Sequence, residues 1–537
     1  MTRCAAIGAV LPAARVSLAR SMSPVAGLVL EACLALAGPH AASAQAAVPT
    51  GFQDQLVVGG LSLPTGIAFL PDGRLLIVEQ STARIRLIVN GALAVIDPVA
   101  TVPGVRSGGE RGLLGIAPDP GFPARPYVYV HCNDASAFVV RITRFTVGGD
   151  LSFTGNGGLT IDPATRFDVI ASIPDVNSIH NGGSVRFGPD GMLYASFGED
   201  GMGCAAQDTS GLRGEILRLD VSHLPPGAGG PPQPALITPP GNPFPNGGLN
   251  ARLIWAFGLR NPFRFQIDPL NGALLIGDVG ENSWEEVDRA PVGGLDFGWS
   301  RFEGPASLDP SCTLTEPASA PIHAYYRNGT EAAIVGGPLY RAPGGAASPF
   351  PGEYDGDYFF SDYYQGFLRR LKGSGTSWLV APTVPGQPDT AHWATGMQFV
   401  SDYAVGPDGS LWYCRQCTGG SCTGSGAIRR IVRTSTVAVP HARPVGPFFA
   451  PPFPAPSSGN VHFSCSLPEP AKVTLAILDL GGRVVRRLAG PATEGAGAYA
   501  WIWDGRDDRG RIQPTGVYRA VLSAGGRTLE RRVALVR

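Results

Sequence analysis

One phrase recurs along this chain and limits what it can fold into. Pro71-Asp72-Gly73-Arg74-Leu75-Leu76-Ile77-Val78 returns as Pro189-Asp190-Gly191-Met192-Leu193-Tyr194 and as Pro407-Asp408-Gly409-Ser410-Leu411-Trp412-Tyr413. Asp268-Pro269-Leu270-Asn271-Gly272-Ala273-Leu274-Leu275-Ile276 is a variant. Each sets a tight turn directly before an alternating or apolar run. Asp-Gly and Asn-Gly supply the positive φ angles that hairpin turns need. Degenerate β units spread from Pro71 to Tyr413 predict a β-propeller, a ring of small sheets around an axis, better than one large sandwich. Composition agrees. The chain has 73 glycines and 50 prolines among 537 residues, and 16% of it is charged. Soluble domains usually carry about 25% charge. A turn-dense, charge-poor chain favours short strands over long helices. The best helix candidate is a short turn near Trp284-Glu285-Glu286-Val287.

Net charge is −1, which argues against a general nucleic-acid binder, since that needs a basic face. The mature chain contains no apolar run of about 18 residues, so no membrane span is expected. Residues 1–44 read as an export signal. Arg3, Arg15 and Arg20 precede an apolar run from Val25 to Ala37, and Ala42-Ser43-Ala44 gives a small-x-small cleavage pattern before Gln45. The expected location is therefore periplasmic, extracellular or the outer cell surface. Removing the signal takes Cys4 and Cys33. Cys132, Cys204, Cys312, Cys414, Cys417, Cys422 and Cys465 remain. An oxidising compartment favours disulfides. The cluster at 414, 417 and 422 lacks a nearby fourth ligand for zinc, so it reads as a loop disulfide with one longer partner. An odd total leaves at least one thiol free or paired between chains.

Four segments follow: the signal over 1–44, the propeller over 50–435, a Pro- and Phe-rich connector over 436–455, and a small β-sandwich over 456–537. Strand signals in the last include Val461–Cys465, Lys472–Ile477, Gly497–Trp503 and Gly516–Leu522.

Seven phrases then occur in the order of a known family: Pro64–Phe69, Gly109–Gly115, His180-Asn181-Gly182-Gly183, Gly214–Asp220, Gly258–Pro262, Gly280–Val287 and Gly293–Trp299. The chain resembles the soluble glucose/sorbosone dehydrogenases, also called aldose sugar dehydrogenases. The resemblance implies a six-bladed propeller that oxidises aldoses at C1 to lactones with pyrroloquinoline quinone and calcium. It also implies a small-molecule sugar substrate and a separate, unidentified electron acceptor. Trp503–Gly510 and Pro514–Tyr518 resemble the Ig-like domain of flagellar hook-capping proteins, which implies a part in secretion or surface retention.

By this resemblance His180 is the general base and Glu199 the carboxylate that orients it. A histidine suits that task because it titrates near neutrality. Arg260 corresponds to the arginine that polarises the quinone carbonyl, and Asn261 and Glu110 line the same pocket. Backbone oxygens around Gly280 and Glu281 would hold the cofactor's calcium, and the Glu286 carboxylate a second, structural ion. Read without the resemblance, the same residues are ordinary: a histidine in a tight turn, an arginine tied to a carboxylate, a loop glutamate and a solvated acidic turn. The chain also departs from the family. Where the best-known members place a lysine beside the quinone, it has Tyr364, and where they place two arginines it has Phe399 and Ser401. Only two lysines exist, Lys372 and Lys472; Arg264, Arg369 and Arg370 are the nearby cations that could compensate. A binding propeller for a glycan or protein is therefore the alternative to a dehydrogenase, and a metal-water hydrolase using His180 and Glu199 a third reading. No GxGxxG cradle stands in a strand–helix context, which argues against nicotinamide or flavin.

Overall fold

The computed structural model describes residues 45–418, 422–434, 447–449, 452, 457, 460–467, 469–495 and 497–536. The signal segment and most of the connector lie outside these residues. The protein is all-β. Six sheets of four or five strands follow one another along residues 52–433, apart from the small hairpin of Phe302–Glu303 and Ala306–Ser307, and each opens with an inner strand. The inner strands are Pro64–Phe69, Leu113–Pro118, Val185–Phe187, Arg264–Ile267, Ile334–Leu339 and Val400–Val405. Pro64–Phe69 packs against Leu113–Pro118 on one side and Val400–Val405 on the other. Leu113–Pro118 touches Val185–Phe187, and Ile334–Leu339 bridges Arg264–Ile267 to Val400–Val405. The third and fourth sheets meet where the Phe265 N–H donates to Ser184 Oγ at 3.2 Å. This is the packing of a propeller.

The recurring phrase falls at one place in that plan. Gly73, Gly191, Gly272 and Gly409 each sit at positive φ, at +90°, +77°, +77° and +82°, in the turn between an inner strand and the next. Sheets two and five use longer connections there, which is why the phrase is missing from them. The strand Phe52–Leu61 pairs antiparallel with Gly426–Arg433, so the beginning of the domain completes the sheet made by its end. The expected helical turn at Trp284 is instead the strand Trp284–Ala290, paired with Leu274–Asp278 and His323–Tyr326. Two flanking strands fix its backbone, and Glu285, Val287, Asp288 and Ala290 are buried. No helix among the described residues is long and apolar enough to cross a membrane.

Beyond the connector, Phe448–Phe449, Val461–Leu467 and Gly497–Trp503 form one sheet. Val484–Glu494, Ala471–Leu478, Gly516–Ala524 and Arg527–Leu535 form a second. Alternating residues such as Val473, Leu475 and Ile477 build a common core with Leu522 and the fully buried Trp503. This is the expected sandwich.

Disulfides join Cys204 to Cys312 and Cys417 to Cys422, while Cys132, Cys414 and Cys465 are buried thiols. The expected loop disulfide is Cys417–Cys422, but the third cysteine has no longer partner: Cys414 is a thiol facing inward, where the Ser401 hydroxyl lies 3.5 Å from its sulfur. Alkylation of the unfolded, unreduced protein followed by mass spectrometry is expected to tag those three thiols, with Cys204, Cys312, Cys417 and Cys422 appearing only after reduction.

His131 is fully buried, with its Nε2 3.1 Å from the Ser196 carbonyl. Burial holds its imidazole down at about 3. Its ordinary value is about 6.5, so below that pH the unfolded chain takes up a proton that the fold refuses. The stability this neutral ring allows is complete above about pH 6.5 and falls as pH drops, by about 2–3 kcal/mol at about pH 4.5. His131→Phe is expected to lose less stability than wild type between about pH 7 and about pH 4.5, by that amount, in urea titrations at both pH values.

Candidate active site

The turn Ile179–Gly183 precedes the inner strand Val185–Phe187. His180 adopts φ +54°, a left-handed conformation that a side chain rarely takes. Two glycines permit it. A Cβ on Gly182 would lie 2.4 Å from the Ser196 carbonyl oxygen, and one on Gly198 would lie 2.2 Å from the His180 carbonyl oxygen. The turn therefore presses onto the strand Leu193–Phe197, just past which stands Glu199. His180 Nδ1 lies 2.5 Å from Glu199 Oε1, with both residues buried. The other carboxylate oxygen accepts the Met202 N–H. A carboxylate on Nδ1 holds the proton there and leaves Nε2 as the basic nitrogen. Nε2 has no protein partner among the described residues.

The remaining predicted residues converge on this pair. Glu110 accepts the His180 N–H at 2.6 Å and the Asn261 side-chain amide at 3.3 Å, both on Oε2. Asn261 Oδ1 accepts the Gly182 N–H at 3.0 Å. The Arg260 carbonyl accepts the Glu199 N–H at 2.9 Å. Asp278, which sequence reasoning missed, holds the pair in place: its two oxygens accept the Arg260 and Asn261 N–H groups at 2.9 and 2.7 Å. Burial pushes its carboxyl up to about 6, although those bonds and the Arg260 charge pull it down. The Arg260 guanidinium donates to the Val279 carbonyl at 3.0 Å, lies over the Trp299 ring, and keeps a buried Nε without a partner among the described residues. Burial lowers its pKa, opposed mainly by the charge of Glu199.

A cleft of about 500 Å³ opens beside this cluster. Glu110, Gly182, Asn261, Val279 and Tyr364 line it, so three of the predicted pocket residues face one space. Tyr363, Gln416 and Gln80 complete it and were not anticipated. Tyr363 donates to Gln416 Oε1 at 2.6 Å, and Gln416 donates to Gln80 Oε1 at 3.0 Å. These three come from the fifth, sixth and first sheets, and no local pattern joins them. His180, Glu199 and Arg260 are not among the residues that line it.

The compensating cations considered in the sequence do not line the cleft. Arg264 is buried at the centre of the ring and donates to the carbonyls of Thr65, Leu114, Phe263 and Ser401. Arg370 and Lys372 both pair with Asp357, and Arg369 lies over the Phe367 ring. Ser401 is buried and donates to the Pro64 carbonyl, while the Phe399 ring packs on Tyr363. Arg111 lines the cleft, with its guanidinium bound to Asp175 at 2.6 Å.

The loop expected to hold calcium is closed by side chains. Glu303 Oε1 accepts the N–H groups of Glu281, Asn282, Ser283 and Trp284 at 2.7 to 3.2 Å. The carbonyls of Gly280 and Glu281 each accept an Arg327 N–H at 2.7 Å. Glu286 accepts the Gly304 N–H and faces Asp278 across the strands; burial, aided by Asp278, pushes its carboxyl up to about 8. No group of three His, Cys, Asp or Glu side chains among the described residues could hold a metal ion. The one sequence signal for Arg327 is its place directly before the Asn328-Gly329 turn.

A sequence profile described as glucose/sorbosone dehydrogenase matches residues 61–416, and one for the FlgD Ig-like domain matches residues 455–527. The HIPL2 protein of Arabidopsis thaliana is 35% identical over 211 residues, which is 35% of this chain and 29% of that protein. This chain therefore spans less than a third of that relative. A putative oxidoreductase (glucose dehydrogenase) from Thermus thermophilus is similar with TM-score 0.54 and 29% identity over 71% of this chain and 100% of that one. The PQQ-bound aldose sugar dehydrogenase of Streptomyces coelicolor gives 0.52 and 26% over 72% and 99%. With a profile match over most of its length, this chain belongs to the glucose/sorbosone dehydrogenase family.

Proposed function

We propose that the chain is an exported sugar oxidoreductase, built as a six-bladed propeller over residues 50–435, that oxidises an aldose at C1 to its lactone. The observation that carries this reading is the buried His180–Glu199 pair, tied through the His180 backbone N–H to Glu110, which with Asn261 lines the cleft. His180 Nε2 takes the hydroxyl proton. Glu199 fixes the ring and stabilises the imidazolium that results. The donor set fits the ring end of a quinone of the pyrroloquinoline type, because Arg260 offers a buried cation with an unused N–H. Arg260, Asn261, Glu110 and Tyr364 would hold it, and when bound it supplies the hydride acceptor. Desolvation around Arg260 strengthens its pull on a carbonyl oxygen. Calcium does not fit the loop at Gly280 and Glu281, where a guanidinium occupies the carbonyls.

Dye-linked oxidation by the folded chain incubated with the quinone is the test. Turnover of at least one aldose is expected, and silence across a broad sugar panel overturns the reading. A second reading, a binding propeller for a glycan or protein, is favoured by one observation: Arg111 is the one cation lining the cleft among the described residues, and Asp175 neutralises it. The C-terminal sandwich contributes retention or export, so deleting residues 456–537 is expected to change the protein's location or secreted yield.

A further inference from the structure

We propose that the Arg327 guanidinium is a built-in replacement for the divalent cation on the loop that follows Val279 of the cleft lining, so that this chain binds its quinone without calcium. The inference rests on the quinone reading above and concerns the same site.

Three consecutive carbonyls begin that loop. Val279 lines the cleft, and its carbonyl accepts Arg260 Nη1 at 3.0 Å. The next two, of Gly280 and Glu281, accept Arg327 Nη2 and Nη1 at 2.7 Å each. Two neighbouring carbonyl oxygens turned to one point are donors a hard cation would use. Here the planar fork of a guanidinium spans them instead, a fit that a lysine ammonium could not reproduce.

The arrangement is locked from every side. Arg327 Nε donates to Glu285 Oε1 at 2.7 Å, and Nη2 bonds the same oxygen. Glu285 is fully buried and accepts the Ile334 N–H with its other oxygen. Drawing Arg327 away would leave that carboxylate without its cation. The Arg327 backbone is held too: its N–H donates to the Ser283 carbonyl at 2.8 Å, and its carbonyl accepts the Thr330 hydroxyl at 2.6 Å. The loop cannot turn its carbonyls elsewhere, because four successive N–H groups on its other face are bound to Glu303. An ion bridging both oxygens would have to displace the guanidinium and break its pair with Glu285.

Two experiments decide this. The first is a crystal structure of the full chain soaked in terbium, a luminescent and strongly scattering calcium mimic. The guanidinium is expected on both carbonyls. An ion on them, with Arg327 displaced, overturns the proposal. The second is calorimetric titration of chelator-treated protein with pyrroloquinoline quinone, with chelator present or with excess calcium. Wild type is expected to bind with the same affinity within twofold in both. Arg327→Gln is expected to bind at least tenfold more weakly in chelator. A tenfold gain from calcium in wild type, or an unchanged affinity in the folded Arg327→Gln variant, overturns the proposal. Absence of quinone binding in both conditions, with the guanidinium seated in the crystal, overturns the quinone reading and calcium independence with it, while the cation assignment stands on the crystal alone.

Discussion

His180→Asn is expected to lower the rate of sugar oxidation by about 10²–10⁴-fold, the span general-base catalysis covers. Asparagine is the informative choice because it tolerates the left-handed backbone that His180 adopts. The turn then survives while the basic nitrogen is lost. Glu199→Gln is expected to come second but still within that span, because its one amide oxygen cannot accept both Nδ1–H and the Met202 N–H, so its NH2 competes for Nδ1 and draws the ring proton to Nε2. Steady-state kinetics on quinone-loaded protein, with thermal melts showing both variants folded, check the order. Equal activity in wild type and His180→Asn would remove His180 from the chemistry.

Arg264→Met is expected to destabilise the propeller by about 3–5 kcal/mol, the cost of breaking a buried ionic network from one side. Arg264 belongs to the fourth sheet and donates to carbonyls of the first, second and sixth. Its Nε also lies 3.6 Å from Asp402. Burial pulls its pKa down to about 10, so it stays charged at neutral pH. Methionine fills the space and satisfies none of the carbonyls. Arg264→Lys is expected to recover only part of the loss, because three donors on one compact ammonium cannot span the four carbonyls that the guanidinium fork reaches. Urea midpoints for the three proteins measure it. A loss below about 1 kcal/mol would mean that the ring is held by its strands alone.

The propeller is readable in the sequence because its hairpins are local. An Asp-Gly or Asn-Gly pair sets its own turn wherever it stands, and four of the six inner hairpins announce themselves this way. The strand at Trp284 is not local: its backbone is dictated by neighbours that lie before and after it in the chain, so its Glu-Glu run suggested a helical turn. The same divide runs through the site. His180 and Glu199 bracket one hairpin, and their nineteen-residue separation is what brings them together. Arg260 and Asn261 could be named from the family resemblance, but Asp278, which holds both backbones, could not. Arg264, Arg369 and Arg370 look interchangeable as candidate cations in sequence. Tertiary structure gives one to the ring's centre, one to an aromatic face and one to Asp357. Glu303 and Arg327 occupy the two faces of the Gly280–Trp284 loop from 19 to 47 residues away, and nothing in their own segments foretells it.

The pairing of Phe52–Leu61 with Gly426–Arg433 sets a timetable. The first propeller strand to leave the ribosome finds its partner only when almost the whole domain has been made. Until then its edge is open, and the sheet it completes has no outer strand. Closure over so long a separation is slow, since the entropy of a large loop is lost before any contact compensates. A chain stopped before its last propeller strand, Gly426–Arg433, would leave Phe52–Leu61 unpaired and the closing sheet unfinished, the geometry that invites one molecule to complete another. Synthesis must therefore run past the domain's last strand before its first one is safe from neighbours.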